Sequence, residues 1–362
     1  MTDPAALDGI TTLHDFEPRA RAVMDHAAFD YVAGGSWDEL TLDENEAAWR
    51  QRRLRPRVLV DVSSVDPSST MLGVPVAIPV AVAPMAVQGL AHPDGELAAV
   101  RGAAAAGVPY ILSTTSSRSI EDVAAAAPDA VRWFQLYVQS DAAWTRRLVE
   151  RAAASGYGAI VLTVDLPVLG YRDRDRRSGF ELPPLGNFAE VGATHGSHAA
   201  GGSELQHATS LTWDDLSEIR TWSGLPLVLK GVMTAEDARL AVEHGADAIV
   251  VSNHGGRQLD RVQAGVDALA EVVAAAGGRT EVWVDGGVRR GLDIAIALAL
   301  GARGVLVGRP VYWALAAGGQ AGVERAFAIL RDEFEIALAL LGARTPADVR
   351  PEHLVDPDTG PA

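Results

Sequence analysis

From about residue 79 to residue 307 one unit recurs, a short run rich in Val and Ile followed by an Ala-rich stretch with helical spacing. This alternation specifies parallel strands joined by crossover helices, because parallel neighbours cannot be linked by a tight turn. Strands are expected at Pro79–Ala83, Pro109–Leu112, Val131–Leu136, Ala159–Val164, Pro226–Leu229, Ala248–Val251, Glu281–Val284 and Gly304–Val307. The stretches Glu96–Ala106, Asp141–Ser155, Ala235–His244 and Gly291–Leu300 read as helices with Gly just beyond their ends. Eight such units predict a closed (β/α)8 barrel, with a doubly wound open sheet as the rival. One barrel domain absorbs all 362 residues.

Two segments fall outside the repeat. Residues 1–78 hold a helical stretch ending at Ala33–Gly35, an arginine-rich piece, and a segment starting at Arg57 and ending at Gly73 that reads as a hairpin capping the barrel. The stretch from Leu182 to His207 is rich in Gly, Ala, Ser and His and lacks apolar periodicity, which predicts a mobile lid over the barrel mouth. Its histidines, His195, His198 and His207, have no carboxylate or cysteine partner at ligand spacing, so they read as solvated loop residues and no metal site is expected.

Charge and cysteine usage narrow the chemistry. A formal charge of -16 argues against nucleic-acid or anionic-membrane partners, which are met by clustered Lys and Arg. The absence of cysteine excludes disulfides, thiolate catalysis, iron–sulfur clusters and cysteine zinc sites. The acidic, mixed N-terminus lacks the pattern of a secretory signal, and no apolar run approaches the ~20 residues that span a bilayer, so a cytoplasmic protein is expected. Among thirty arginines stands a single lysine, Lys230, which suggests a position that needs a compact ammonium.

In (β/α)8 barrels the active site lies at the C-terminal ends of the strands. Here those ends carry Pro84-Met85-Ala86, Ser113-Thr114-Thr115, Gln135 and Tyr137, Thr163 and Asp165, Lys230, Ser252-Asn253-His254, Asp285-Gly286-Gly287 and Gly308-Arg309. The glycines after the last two strands, with Arg289 and Arg309, describe a phosphate cradle in its usual place on this fold. The segment SNHGGRQLD (Ser252–Asp260) puts His254, suited to take a proton near neutral pH, beside Arg257, suited to grip a carboxylate in two-pronged fashion. Asp165 can orient and stabilise that imidazole or serve as a helix N-cap. Arg172 offers a second carboxylate clamp or a solvated charge, and Tyr31 and Tyr137 can hydrogen-bond a substrate or pack.

Taken in order, FDYVAGG, FQLYV, LTVD, LKGV, SNHGGRQLD, DGGVRRG, VGRP and RDEFEIALALLG resemble the FMN-dependent 2-hydroxy-acid oxidase and dehydrogenase family over nearly the whole chain. The resemblance implies oxidation of an (S)-2-hydroxy acid to the 2-keto acid by a homotetramer. It places Tyr31, Tyr137, Arg172, His254 and Arg257 at the substrate, with Asp165 supporting His254. It also implies flavin contacts from Ala83, Pro84, Ala86, Ser113, Gln135, Thr163, Lys230 and Ser252, and ribityl or phosphate contacts from Asp285, Gly287, Arg289, Gly308 and Arg309. Lys230 then becomes the cation that stabilises the reduced flavin, and His254 takes either the hydroxyl proton or the carbon proton.

Thr115 stands where glycolate oxidase has a tryptophan, and Ala86 is also small, so a side chain larger than that of glycolate, mandelate-like or long aliphatic, is expected. Neither a haem domain nor an apolar membrane insert is apparent in the sequence, which points to oxygen, giving hydrogen peroxide, or a soluble electron acceptor. A Schiff-base lyase using Lys230 is the rival from another reaction class. An FMN-dependent isomerase or synthase, and non-catalytic flavin binding, are weaker alternatives on the same fold.

Overall fold

The computed structural model describes residues 7–191, 196–197 and 207–355. Its strands in chain order are β1 (Ser69–Met71), β2 (Val74–Val76), β3 (Val80–Met85), β4 (Tyr110–Leu112), β5 (Arg132–Leu136), β6 (Ile160–Thr163), β7 (Glu181–Leu182), β8 (Gly196–Ser197), β9 (Leu227–Val232), β10 (Ala248–Val251), β11 (Glu281–Val284) and β12 (Gly304–Val307). The helices are α1 (Phe16–Val23), α2 (His26–Ala33), α3 (Leu40–Gln51), α4 (Glu96–Ala105), α5 (Ile120–Ala126), α6 (Ala142–Ala154), α7 (Asp173–Ser178), α8 (Asp215–Thr221), α9 (Ala235–Glu243), α10 (Gly265–Ala276), α11 (Gly291–Ala299) and α12 (Arg309–Leu341). Strands β3, β4, β5, β6, β9, β10, β11 and β12 pair in parallel, in that order, and β12 closes back on β3. The closed barrel expected from the repeat is therefore present, and the open sheet is not.

Period-two alternation along each strand explains how this barrel is filled. Ala81, Ile111, Trp133, Val161, Val228, Val250, Trp283 and Leu306 form a buried apolar layer inside it, with Trp133 and Trp283 stacked at 5.1 Å. Two residues further along each strand the inward positions are Ala83, Ser113, Gln135, Thr163, Lys230, Ser252, Asp285 and Gly308, so an apolar floor lies directly below a mostly polar mouth. The residues between them point outward and pack on the helices in a second, larger apolar cluster.

Several sequence boundaries need correction. The hairpin comprises Ser69–Met71 and Val74–Val76 around Leu72-Gly73, both with positive φ, as tight two-residue hairpins require; it does not begin at Arg57. The alternating RVLVDV segment fails as a strand because its apolar residues have nothing to pack on: Val58 and Leu59 are exposed. Fully buried Met71 joins the apolar layer and plugs the end of the barrel opposite the mouth. The N-terminal part holds three helices where one stretch was expected, and α3 follows Gly34-Gly35. Strands β3 and β9 run past their expected ends, so Pro84 and Lys230 lie within strands.

The first part of the expected lid is anchored. Leu182, Leu185 and Phe188 are buried, and the Asn187 side chain accepts from Ile120 N while donating to Thr114 O and Ser116 Oγ. His195 and His198 lie outside the described residues. No helix among the described residues is long and apolar enough to cross a membrane.

Candidate active site

A cavity of about 600 Å³ opens at the C-terminal ends of the strands. Its wall includes Tyr31, Ala83, Pro84, Ala86, Ser113, Thr115, Tyr137, Thr163, Arg172, Lys230, His254, Arg257, Asp285, Gly287, Arg289, Gly308 and Arg309, all selected from sequence. Three selected residues stand behind that wall: Asp165 against His254, Ser252 beneath Lys230, and Gln135 in a hydrogen-bond relay. In the relay Gln135 Oε1 accepts from Ser113 Oγ and Thr114 N, and its Nε2 donates to Thr163 Oγ1. The amide thereby sets the orientation of two hydroxyls that face the cavity.

His254 begins a Gly-softened turn after β10 and adopts φ +60°, a conformation uncommon for a residue with a side chain. Its own N–H donates to Ser252 Oγ, which helps to hold the turn. The imidazole lies between Asp165 Oδ1, 2.8 Å from Nδ1, and the Tyr137 hydroxyl, 3.3 Å from Nε2. Burial, assisted by Lys230 and Arg172, lowers the His254 pKa despite the opposing pull of Asp165. Burial alone would raise the Asp165 pKa, but His254 and Lys230 outweigh it and keep the carboxylate ionised. A neutral imidazole donating Nδ1–H to a carboxylate leaves Nε2 unprotonated toward the cavity, which is the form of a resting general base. Asp165 can come so close because Gly231, at φ +116°, has no Cβ; one built there would lie 2.6 Å from the Asp165 Cβ.

Asp165→Asn tests this coupling. Loss of the carboxylate should lower the basicity of His254, reduce turnover, and move the acidic limb of the pH–rate profile to lower pH. A limb that stays in place would show that Asp165 does not govern the imidazole.

Lys230 is buried, donates to Ser252 Oγ at 2.9 Å, and lies 3.2 Å from Asp285 Oδ2. Burial disfavours its charge, yet Asp285 and Asp165 more than compensate and raise its pKa. It is a fixed ammonium, the opposite of the neutral amine a Schiff-base mechanism requires. Asp285 Oδ1 is buried without a protein partner among the described residues and is available to a bound hydroxyl or amide donor.

The arginines form a dense positive wall. Arg172 is buried and donates from Nε to Arg257 O; burial and Arg257 push its pKa down to about 10. Arg257 donates to Tyr31 O and Gly34 O and lies over the Tyr31 ring. An anion seated between Arg172 and Arg257 would relieve their mutual repulsion. Arg309 uses Nε, Nη1 and Nη2 to bind the carbonyls of Val32, Gly255 and Gly34, so it ties α2 to the His254 turn besides facing the cavity. Arg289 lines the same end, beside Glu46.

Asn45, Gln258, His207 and Asp175 also shape the site, although the sequence did not mark them for it. Asn45 of α3 and Asn253 exchange amide hydrogen bonds at 2.9 and 2.8 Å, while Gln258 donates to Asp165 O and Val168 O. Gly287, at φ +79°, passes so near α3 that a Cβ would lie 1.9 Å from Asn45 O. His207, expected in solvent, lines the cavity and meets the Tyr137 ring edge-on at 5.1 Å; burial lowers its pKa to about 4. Asp175 also lines the cavity near Arg172, and its place three residues along the same charged run was the available clue.

A family model described as FMN-dependent dehydrogenase matches residues 20–356. L-lactate oxidase of Nostoc sp. is 49% identical over 356 residues, covering 95% of this chain and 98% of that protein. Glycolate oxidase of Spinacia oleracea is 45% identical over 361 residues, covering 98% of each. A mandelate oxidase structure with (S)-4-hydroxymandelic acid shares 44% identity at a TM-score of 0.89, covering 95% of this chain and 98% of that one.

Proposed function

The chain belongs to the FMN-dependent dehydrogenase family, and from that premise we propose that it oxidises an (S)-2-hydroxy acid with a side chain larger than that of glycolate, passing the electrons to oxygen to give hydrogen peroxide. The observation that carries this reading is the Asp165–His254 pair beside Arg172 and Arg257, a base next to an anion receptor in one cavity.

The cavity suits FMN. Its volume lies in the range of cofactor pockets, its floor is apolar, and it offers a buried cation at Lys230 and an unpartnered acceptor at Asp285 Oδ1. Ala83, Pro84, Ala86, Ser113, Gln135, Thr163, Lys230 and Ser252 would hold the ring, with Gln135 and Ser252 acting from just behind the wall. Asp285, Gly287, Arg289, Gly308 and Arg309 would hold the ribityl chain and phosphate, with the guanidinium groups of Arg289 and Arg309 as the charged donors. FMN, when bound, supplies a two-electron acceptor at this mouth.

The protein does the rest. Arg172 and Arg257 clamp the substrate carboxylate and so select which face of the reacting carbon is presented. Tyr31 and Tyr137 line the same cavity, where their hydroxyls can orient the substrate oxygen. His254 Nε2 takes the substrate proton, and Asp165 stabilises the resulting imidazolium. Lys230 holds positive charge where negative charge accumulates.

The room for a large side chain comes from Thr115 and Ala86, with Leu166, Leu169 and Leu182 supplying apolar wall. An anaerobic visible spectrum taken before and after (S)-mandelate, (S)-lactate or glycolate tests both parts of the proposal. Bleaching is expected with at least one acid, more readily with mandelate than with glycolate, and peroxide should form when air is admitted. Thr115→Trp should reverse the order in favour of small acids. A flavin bleached by none of them would sink the hydroxy-acid reading, and bleaching without peroxide would sink the choice of oxygen.

A further inference from the structure

A second cavity, of about 280 Å³, adjoins the active-site cavity. Both are lined by Tyr137, Thr163, Leu166, Pro167 and His207. The rest of its wall is apolar at Val138, Val164, Leu211, Trp213, Leu216 and Val232 and polar at Thr209, Thr212 and Asp237. Between the two chambers stands His207 with its ring edge-on to Tyr137, whose hydroxyl reaches His254.

The His207 imidazole has no evident duty in holding the fold. Its backbone is already anchored by a bridge to Gln139 and by the Ala208 N–H donating to Val138 O. Its Nδ1 is buried and has no hydrogen-bond partner among the described residues, an arrangement that costs stability. Burial lowers its pKa to about 4, so the ring is neutral near neutral pH and is a wall and not a second acid.

We propose that His207 is a specificity-determining residue that closes the side-chain end of the substrate pocket and separates it from the second chamber. Removing the imidazole joins the chambers and admits 2-hydroxy acids with longer apolar side chains. This rests on the hydroxy-acid reading above.

The test is kcat/KM of the FMN-loaded enzyme, native and His207→Ala, over straight-chain (S)-2-hydroxy acids of increasing length. The native enzyme should stop gaining once the chain reaches His207. His207→Ala should continue to gain about fourfold per added methylene over the next few, measured relative to its own value with lactate. Adding Leu216→Trp, which fills the far chamber without touching the base, should cancel that gain, and His207→Phe should retain the native profile. Affinities for the matching 2-keto acids, read from the flavin spectrum, should follow the same pattern. A uniform change across the series, or an unchanged length profile in His207→Ala, overturns the assignment. A native flavin bleached by no acid of any length instead refutes the hydroxy-acid reading, and this inference with it.

Discussion

Replacing His254 with Ala should leave FMN bound and slow its reduction by about 10³- to 10⁴-fold, the upper part of what a positioned general base contributes. The cofactor should survive because the phosphate end, around Gly287, Arg289 and Gly308, uses other strands and the imidazole shares no hydrogen bond with it. The native enzyme should show the matching pH dependence. Burial, with help from Lys230 and Arg172, lowers the His254 pKa from 6.5, so the base is competent above that lowered value and is lost as pH falls through it. The acidic limb of the flavin-reduction rate therefore lies below pH 6.5. Stopped-flow reduction across pH checks both statements. Near-native reduction in His254→Ala, or a limb above pH 6.5, would remove His254 from the role.

The second large effect belongs to Lys230. Lys230→Met breaks a buried ion pair and strands Asp285, which costs about 3–5 kcal/mol of stability. It should also slow flavin reduction by about 10²- to 10³-fold, because a fixed charge at the reacting centre is lost. The two losses separate in the double variant with Asp285→Asn, which should recover most of the stability and little of the rate. Lys230→Arg should not rescue, since a planar fork cannot replace a compact ammonium against Ser252 and Asp285. Chemical denaturation and the flavin reduction potential are the measurements. A potential unchanged in Lys230→Met would contradict the electrostatic role.

These effects rest on residues whose legibility in the sequence differed for physical reasons. His254 and Arg257 were legible because they share one short loop after a buried strand. Lys230 stands out as the only lysine, yet the sequence pattern ends its strand before it, because a charge normally terminates a buried run. Here the ammonium is tolerated inside β9 by Asp285, 55 residues away in the chain. The burial of His207 is not legible locally, because its segment lacks apolar periodicity; it comes from Tyr137 across a bridge to Gln139. Asn45 gave no signal, since its partner Asn253 lies 208 residues away. The hairpin was misplaced because alternation alone cannot say whether a neighbour exists to cover the apolar side.

By itself the sequence determined the barrel, its eight strands, and the ring of side chains at its mouth. Strand geometry makes those features local: each buried run must pair, and every second residue of it must face the same interior. Tertiary structure alone decided the protonation of His254 and Lys230, the confinement of Arg172, and the position of His207 between two chambers. Those properties depend on burial and on charges contributed by other strands, and neither is encoded in the residues flanking each site.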